Sequence, residues 1–541
     1  GKTALVFDYL MAYLGNDAMD NAMHTYFDTW KFKHPQPEDL RKILEEETGK
    51  DLSWFFDNLI NGDALIDYKI VKAKNAGSEY TVTVKNVTNT NVPFSISGVI
   101  DGKSTNTTWY EGFDKKTEIT FAAGDYDALK IDWFKDIPEV NRRNNTYKTT
   151  GMFKKVEPLR LQLLTSLENP NKTQLFWTPV IGWNEYDHAM PGLAVYNSVM
   201  PERRLEYVFM PLYSTSTQTV LGSAKLGYNW FPKGVPFQNI RLTVRGSRYS
   251  NGNNALPDLG EGIYGENPIQ ANKLKTELGF TLRNKSARSK VVNKLLVTSY
   301  DVWFTNSDVG DVIPINSGGV SVNYFPEGNY YVKRLAFVHA NGRTLNPYDF
   351  TVSVEQGQVQ GAEPFVKAQV EANCQVSYRR GRGLDIRFFS GRFLYNDFPN
   401  VENKFAFAMH GNRDYLYDHV FLGRSETSGM LGAQFVRNDG GFKNPVDMAN
   451  AHTWLTALNL QSSTLPGIPI SLYTDLGWSS SSAKELIVGV GVAIPVIPNI
   501  LEIYFPIYTT TGIDAVYKNN IGFVFNIAAL NPFELLKNIP H

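Results

Sequence analysis

Eight histidines and a single cysteine in 541 residues set the first question, which is whether this chain can hold a metal or a nucleophile. The histidines are His24, His34, His188, His339, His410, His419, His452 and His541, and no two lie four residues apart. No H-E-x-x-H occurs, so no helix face offers paired imidazoles to zinc. His34 precedes Pro35 at a helix junction and reads as a packing or turn residue. His410 and His419 read as polar loop histidines. Glu45-Glu46-Glu47 reads as a solvated helix face, not as an acid/base pair. No G-x-S-x-G elbow is present. Cys374, being alone, excludes an intrachain disulfide and a cysteine-based zinc site. The expectation is a chain with no catalytic residue and no metal ligand set of its own.

Stepping from residues to elements, Phe365–Tyr378 shows the pattern that dominates the chain. Val366, Ala368, Val370, Ala372, Cys374, Val376 and Tyr378 alternate with Lys367, Gln369, Glu371, Asn373, Gln375 and Ser377. A period of two places the sets on opposite faces of one strand. At about 3.3 Å per residue the strand runs about 40 Å, enough to cross a bilayer core when tilted by about 45°. Cys374 then reads as a buried or lipid-facing structural thiol. The pattern recurs in Ile240–Arg245, Lys273–Arg283, Leu384–Phe388, Glu485–Ile494, Leu501–Tyr508 and Ile521–Ile527. The polar faces mix both charge signs, and the best apolar faces carry no charge. The expected fold is mainly β: a transmembrane antiparallel β-barrel over residues 151–541, of about 16 strands at about 24 residues per strand and turn.

Aromatic residues make up 13% of the chain, and Trp177, Trp183, Trp230, Trp303, Trp454 and Trp478 are expected at the membrane interfaces. The apolar run Leu486–Tyr508 is no membrane helix, because Pro495, Pro498 and Pro506 break it. It splits into strands Leu486–Ile494 and Leu501–Ile507. A net charge of −1 leaves no basic excess for phosphate backbones, which argues against a nucleic-acid partner.

Residues 1–64 read as helical. Leu5, Val6, Tyr9, Leu10 and Tyr13 keep helical spacing, and Met19–Phe32 forms a second helix. Pro37 opens a third that stops at Gly49, and Ser53 is expected to cap a fourth, Trp54–Ile60. Residues 65–150 change to short strands, Tyr80–Val84, Phe94–Ile100 and Glu118–Phe121, with Asp101-Gly102 as a hairpin signal. They suggest a β-sandwich of roughly immunoglobulin size, acting as a spacer, with 141–150 as the linker. No signal peptide opens the chain, as expected of a mature or cleaved product.

Two stretches resemble known families. Gly1-Lys2-Thr3-Ala4-Leu5-Val6-Phe7-Asp8-Tyr9-Leu10, Lys31-Phe32-Lys33-His34-Pro35 and Gly49-Lys50-Asp51-Leu52-Ser53-Trp54-Phe55-Phe56 look like the tail of the aminopeptidase-N-like gluzincin metallopeptidases. The resemblance implies that the zinc-binding helix, its distal glutamate and a catalytic tyrosine lie upstream of Gly1. It implies zinc and a peptide substrate for that segment, and none for this chain. Ser471-Leu472-Tyr473-Thr474-Asp475-Leu476-Gly477-Trp478, Gly489-Val490-Gly491-Val492, Tyr504-Phe505-Pro506-Ile507 and Ile521-Gly522-Phe523-Val524-Phe525 resemble the closing strands of BamA/TpsB-type outer-membrane barrels. Val420–Arg424 resembles the entry to that family's sixth loop, but its Arg-Gly-Phe/Tyr motif does not follow Arg424. The resemblance implies a bacterial outer-membrane address, lipid and other outer-membrane proteins as partners, and a barrel serving as anchor or scaffold. The N-terminal domains are then expected in the periplasm. A non-enzymatic member of an outer-membrane assembly and, more weakly, a transport pore are the alternatives.

Overall fold

The computed structural model describes residues 2–525 apart from 153, 156–157, 165–168, 170–171, 198–202, 254–267, 287, 306–328, 360–363, 380–381, 397–404, 411–413, 419–433, 435–436, 444–450, 465–467, 482–484 and 498–499. The chain divides into two compact units, one of residues 1–160 with 168–174 and one of residues 161–167 with 175–541.

In the first unit three helices form, α1 (Lys2–Leu14), α2 (Asn16–Trp30) and α3 (Pro37–Thr48). The helix expected from Met19 starts earlier, at Asn16, because Gly15 at φ 89 breaks the chain only one residue beyond α1. Pro37 opens α3, and Gly49 closes it in the left-handed conformation at φ 63, as anticipated. The fourth segment, Trp54–Ile60, is a π-helical turn, and Ser53 makes no capping bond to it. Asp51 takes the Ser53 amide and hydroxyl instead, at 2.8 and 3.0 Å.

Seven strands follow: β1 (Tyr68–Asn75), β2 (Glu79–Asn86), β3 (Phe94–Ile100), β4 (Lys103–Tyr110), β5 (Lys116–Ala122), β6 (Ala128–Ile131) and β7 (Thr146–Lys148). They pair as two sheets, β1-β2-β5 and β4-β3-β6-β7. Asp101 (φ 49) and Gly102 (φ 70) turn β3 into β4 in the geometry that a two-residue hairpin demands. Val82, Val84 and Phe121 from one sheet meet Phe94, Ile96 and Leu129 from the other in one core. Tyr9, Leu10 and Phe55 from the helices join it, so helices and sandwich share a core although the sequence pattern changes at residue 64.

A clasp closes this unit after β6. Glu139 accepts from the Tyr68 amide at 2.9 Å and from the Asn145 side chain, and Arg142 lies 3.4 Å from Asp132. Burial pushes the Asp132 carboxyl up to about 6 and the Glu139 carboxyl up to about 8.

The second unit is a closed β-barrel. Its described strands are β8 (Leu159–Leu163), β9 (Thr173–Asn184), β10 (His188–Tyr196), β11 (Leu205–Tyr213), β12 (Val220–Trp230) and β13 (Phe237–Asn253). Next come β14 (Pro268–Leu282), β15 (Val291–Thr305), β16 (Tyr330–Asn341), β17 (Tyr348–Val359), β18 (Phe365–Arg379) and β19 (Arg382–Asn396). The ring ends with β20 (Trp454–Ser462), β21 (Ser471–Ser479), β22 (Ile487–Ile497), β23 (Leu501–Thr509) and β24 (Gly522–Phe525). From β9 to β24 every sequence neighbour pairs antiparallel, which makes the sixteen strands that length suggests.

The strand β8 is additional and sits at the seam between β24 and β9. Thr173 N donates to Pro158 O at 3.0 Å and Leu164 N to Trp177 O at 2.8 Å, so β8 and β9 advance in the same direction. An odd ring needs one such parallel pair. Connections 231–236, 283–290 and 342–347 close one end of the barrel, and the longer 254–267, 306–329 and 397–453 leave from the other. No described helix is long and apolar enough to cross a membrane.

Candidate functional site

The barrel wall is inverted relative to a water-soluble sheet. On β18 the polar set faces inward, with Lys367 1% exposed, while Val370 and Val376 on the apolar set are 37% and 53% exposed. Neighbouring strands agree, because directly paired residues share a face. Val352 lies opposite Val370 and is exposed outward, and Glu355 lies opposite Lys367 and is fully buried inward. Cys374 is on the outer face and exposed.

All six singled-out tryptophans belong to strands of this wall and share the face turned away from the lumen. Trp183, Trp303, Trp454 and Trp478 lie toward the end with long connections, and Trp230 and Trp177 toward the end with short turns. Tyr213, Tyr395 and Tyr508 add exposed rings at the former end and Tyr378 at the latter.

Described residues of the connection between β19 and β20, among them 405–410, 414–418 and 437–443, pack against the inner wall. Glycines on that wall seat them. A Cβ at Gly391 would stand 2.5 Å from Phe407, and one at Gly477 would stand 2.3 Å from the Met409 sulfur. Only a bare backbone lets those side chains approach so closely. Phe405, Phe407, Met409 and Phe442 are buried there against Phe389 and Leu455 of the wall.

Ion pairs fix the same segment. Glu355 accepts from the Tyr415 hydroxyl at 2.6 Å and from Arg334 Nε at 2.8 Å, and Lys367 Nζ stands 3.2 Å away. Lys367 also lies 4.4 Å from the centre of the Tyr415 ring. Further along, Asp475 accepts from Lys443 Nζ at 2.8 Å and from the Lys443 amide at 3.1 Å. Asn459 ties Asp475 to the Gly440 carbonyl, each at 3.0 Å. Arg387 bridges Glu371 on the wall and the Asp439 carbonyl on the connection, both at 2.9 Å. Every charge in these clusters has an opposite partner or a hydrogen bond, which buried charges require. Beside them a cavity of about 430 Å³ is lined by Asp349, Asp385, Arg387, Arg437 and Lys443.

This arrangement can hold a segment in place and bind charge, and its described residues include no nucleophile–base pair. Among the described residues no group of three or more His, Cys, Asp or Glu side chains could hold a metal ion. His410 packs in the lumen connection, where it forms an isolated bridge with Phe442, and His339 bonds Asn293 at 2.7 Å on the wall. His419 and Val420–Arg424 lie outside the described residues. Residue-by-residue reading missed the lumen clusters. Their signal was the inward row Arg334, Glu355, Lys367, Glu371 and Arg387, joined to the apolar alternation Phe405–Met409 inside a polar connection.

No family model matches the chain, and no curated protein does. Among solved structures, CdiB from Acinetobacter baumannii aligns with a TM-score of 0.30 and 12% identity, over 62% of this chain and 58% of that one. BamA from Haemophilus ducreyi lacking POTRA domains 1-3 aligns with a TM-score of 0.36 and 8% identity, over 65% of this chain and 72% of that one. This chain therefore spans less than two thirds of the CdiB chain. The barrel assignment rests on the strand pairing itself, which closes the ring without reference to either protein.

Proposed function

We propose that the chain is an integral protein of a bacterial outer membrane whose barrel anchors the helix-and-sandwich unit and whose own β19–β20 connection packs against the inner wall. One observation carries this reading: the outward face of the barrel strands is mainly apolar, and the inward face carries the paired charges. In water that arrangement would expose a continuous greasy belt, whereas in a bilayer it buries the belt in hydrocarbon. The outward tryptophans then form the two interfacial girdles, with Trp183, Trp303, Trp454 and Trp478 in one and Trp177 and Trp230 in the other. Short turns mark the periplasmic end of such barrels. Because β8 starts at that end, the residues before it are assigned to the periplasm. Flotation of the purified chain with liposomes tests the reading. It predicts co-flotation that resists alkaline carbonate, and extraction by carbonate would refute it.

Within this reading the barrel is an anchor or a member of an outer-membrane assembly in preference to an open pore, because described residues of the β19–β20 connection pack against the inner wall. Its lipid and protein partners would be those of the outer membrane. The segments around Gly1–Leu10 and Gly49–Phe56 support a further step, that the barrel is coupled to a zinc peptidase acting on peptides. Zinc and catalysis would then reside outside the residues of this chain. Zinc analysis of the full gene product tests the coupling: about one ion per molecule is expected, and a metal-free product with no H-E-x-x-H upstream would sink it.

A further inference from the structure

The cavity of about 430 Å³ lies beside the short turn 342–347, whose Gly342 and Pro347 line it. Its wall is built from directly paired inward residues: Asp349 stands opposite Asn373, Asn373 opposite Arg387, and Gln375 opposite Asp385. Asn373 Nδ2 donates to Asp349 at 2.9 Å, and Gln375 Nε2 donates to Asp385 at 2.8 Å. Asn373 and Gln375 are two residues apart on β18, so they share a face at about 7 Å from each other. Their amides draw the two carboxylates over β18 from the strands on either side.

The cations lining the same cavity are not joined to these carboxylates. Arg387 Nε pairs with Glu371 at 2.9 Å, and Lys443 Nζ pairs with Asp475 at 2.8 Å. Among the lining residues Arg437 is the remaining cation, against two carboxylates. Two atoms in the wall have no hydrogen-bond partner: Asn373 Oδ1, an acceptor, and Arg387 Nη2, a donor on a side chain only 4% exposed. Buried polar atoms are seldom left so. Because Asn373 and Arg387 are directly opposite, an acceptor wanting a donor and a donor wanting an acceptor are neighbours.

An ammonium carries three N–H donors and a positive charge, which suit Asp349, Asp385 and Asn373 Oδ1 together. Arg387 Nη2 beside them calls for an oxygen close to that ammonium. An α-ammonium followed by its own carbonyl or carboxylate carries both groups on adjacent carbons. We propose that this cavity binds the α-amino end of an amino acid or a short peptide. The ammonium rests on Asp349 and Asp385, and the first carbonyl or carboxylate oxygen accepts from Arg387. The site depends on the inward register of β17 to β20 and not on what surrounds the barrel, so it stands or falls separately from the membrane reading.

Calorimetry on the full chain in uncharged detergent tests it with alanine, trialanine and N-acetyl-trialanine as probes. Saturable binding of alanine or trialanine is expected, and N-acetyl-trialanine, which lacks the ammonium, should bind at least tenfold more weakly than trialanine. Alanine binding at least as tightly as trialanine points to a free amino acid, and tighter trialanine points to a peptide end. Asp349→Asn and Asp385→Asn are each expected to weaken binding at least tenfold, whereas Asp301→Asn, at an exposed position outside the cavity, should keep it. Both cavity substitutions preserve side-chain shape and an oxygen for the neighbouring amide, so they are expected to fold, and an unchanged melting transition without probe verifies this. The proposal is overturned if neither free-amino probe binds, if the acetylated peptide binds as tightly as trialanine, or if both cavity variants bind as tightly as the parent.

Discussion

Glu139 retains a proton that most glutamates lose near pH 4.5, because its carboxyl is turned inward onto Tyr68 and Asn145. A folded-state pKa raised to about 8 makes the clasp most stable below the unfolded value of about 4.5. That contribution is lost as pH rises toward 8. Hydrogen exchange at the Tyr68 amide, corrected for intrinsic rates, is therefore expected to speed up between pH 5 and pH 8.5. The dependence should flatten in Glu139→Gln, and an unchanged slope would contradict the assignment. In the lumen the same scale gives a larger effect. Lys367→Met leaves the buried Glu355 with one fewer cation, and breaking a buried pair in this way costs about 3–5 kcal/mol. Urea unfolding of the barrel in detergent should show a midpoint lowered accordingly, whereas Lys290→Met, at an exposed turn, should leave it in place.

At the level of elements, the β19–β20 connection is held by fit as much as by charge. Gly477→Val would place two methyl groups where the Met409 sulfur lies, so the connection should leave its seat while the ring persists. Limited proteolysis is expected to cut residues 397–453 at least tenfold faster in this variant, and an unaltered cleavage rate would contradict the seating. Elements governed by local rules were legible in the sequence: Pro37 and Gly49 bound α3, Asp101-Gly102 turns β3 into β4, and the proline-rich run divides into β22 and β23. Elements governed by distant contacts were not. The strand β8 is five residues long and pairs parallel across a crossover, so neither period nor length announces it. The turn at Trp54–Ile60 is π-helical because Asn61 bonds back to Phe56 within a packed core, which overrides the capping expectation for Ser53. The lumen clusters join residues far apart in the chain, 60 positions for Glu355 and Tyr415 and 145 for Lys273 and Asp418, and no short window of sequence contains them.

For the whole molecule the account turns on which solvent meets the outer wall. An arginine at Val370 would then face hydrocarbon near mid-strand and cost about 2–4 kcal/mol, while one at the neighbouring Gln369 would face the lumen. Refolding into liposomes should accordingly fail or slow for Val370→Arg and proceed for Gln369→Arg. Equal yields would argue for water on both sides. The most direct measurement uses Val370→Cys in a Cys374→Ser background, labelled with a polarity-sensitive fluorophore and reconstituted in lipid vesicles. The account predicts blue-shifted emission, quenched by spin-labelled lipid chains and not by aqueous iodide. Emission as in water with quenching by iodide alone would contradict it.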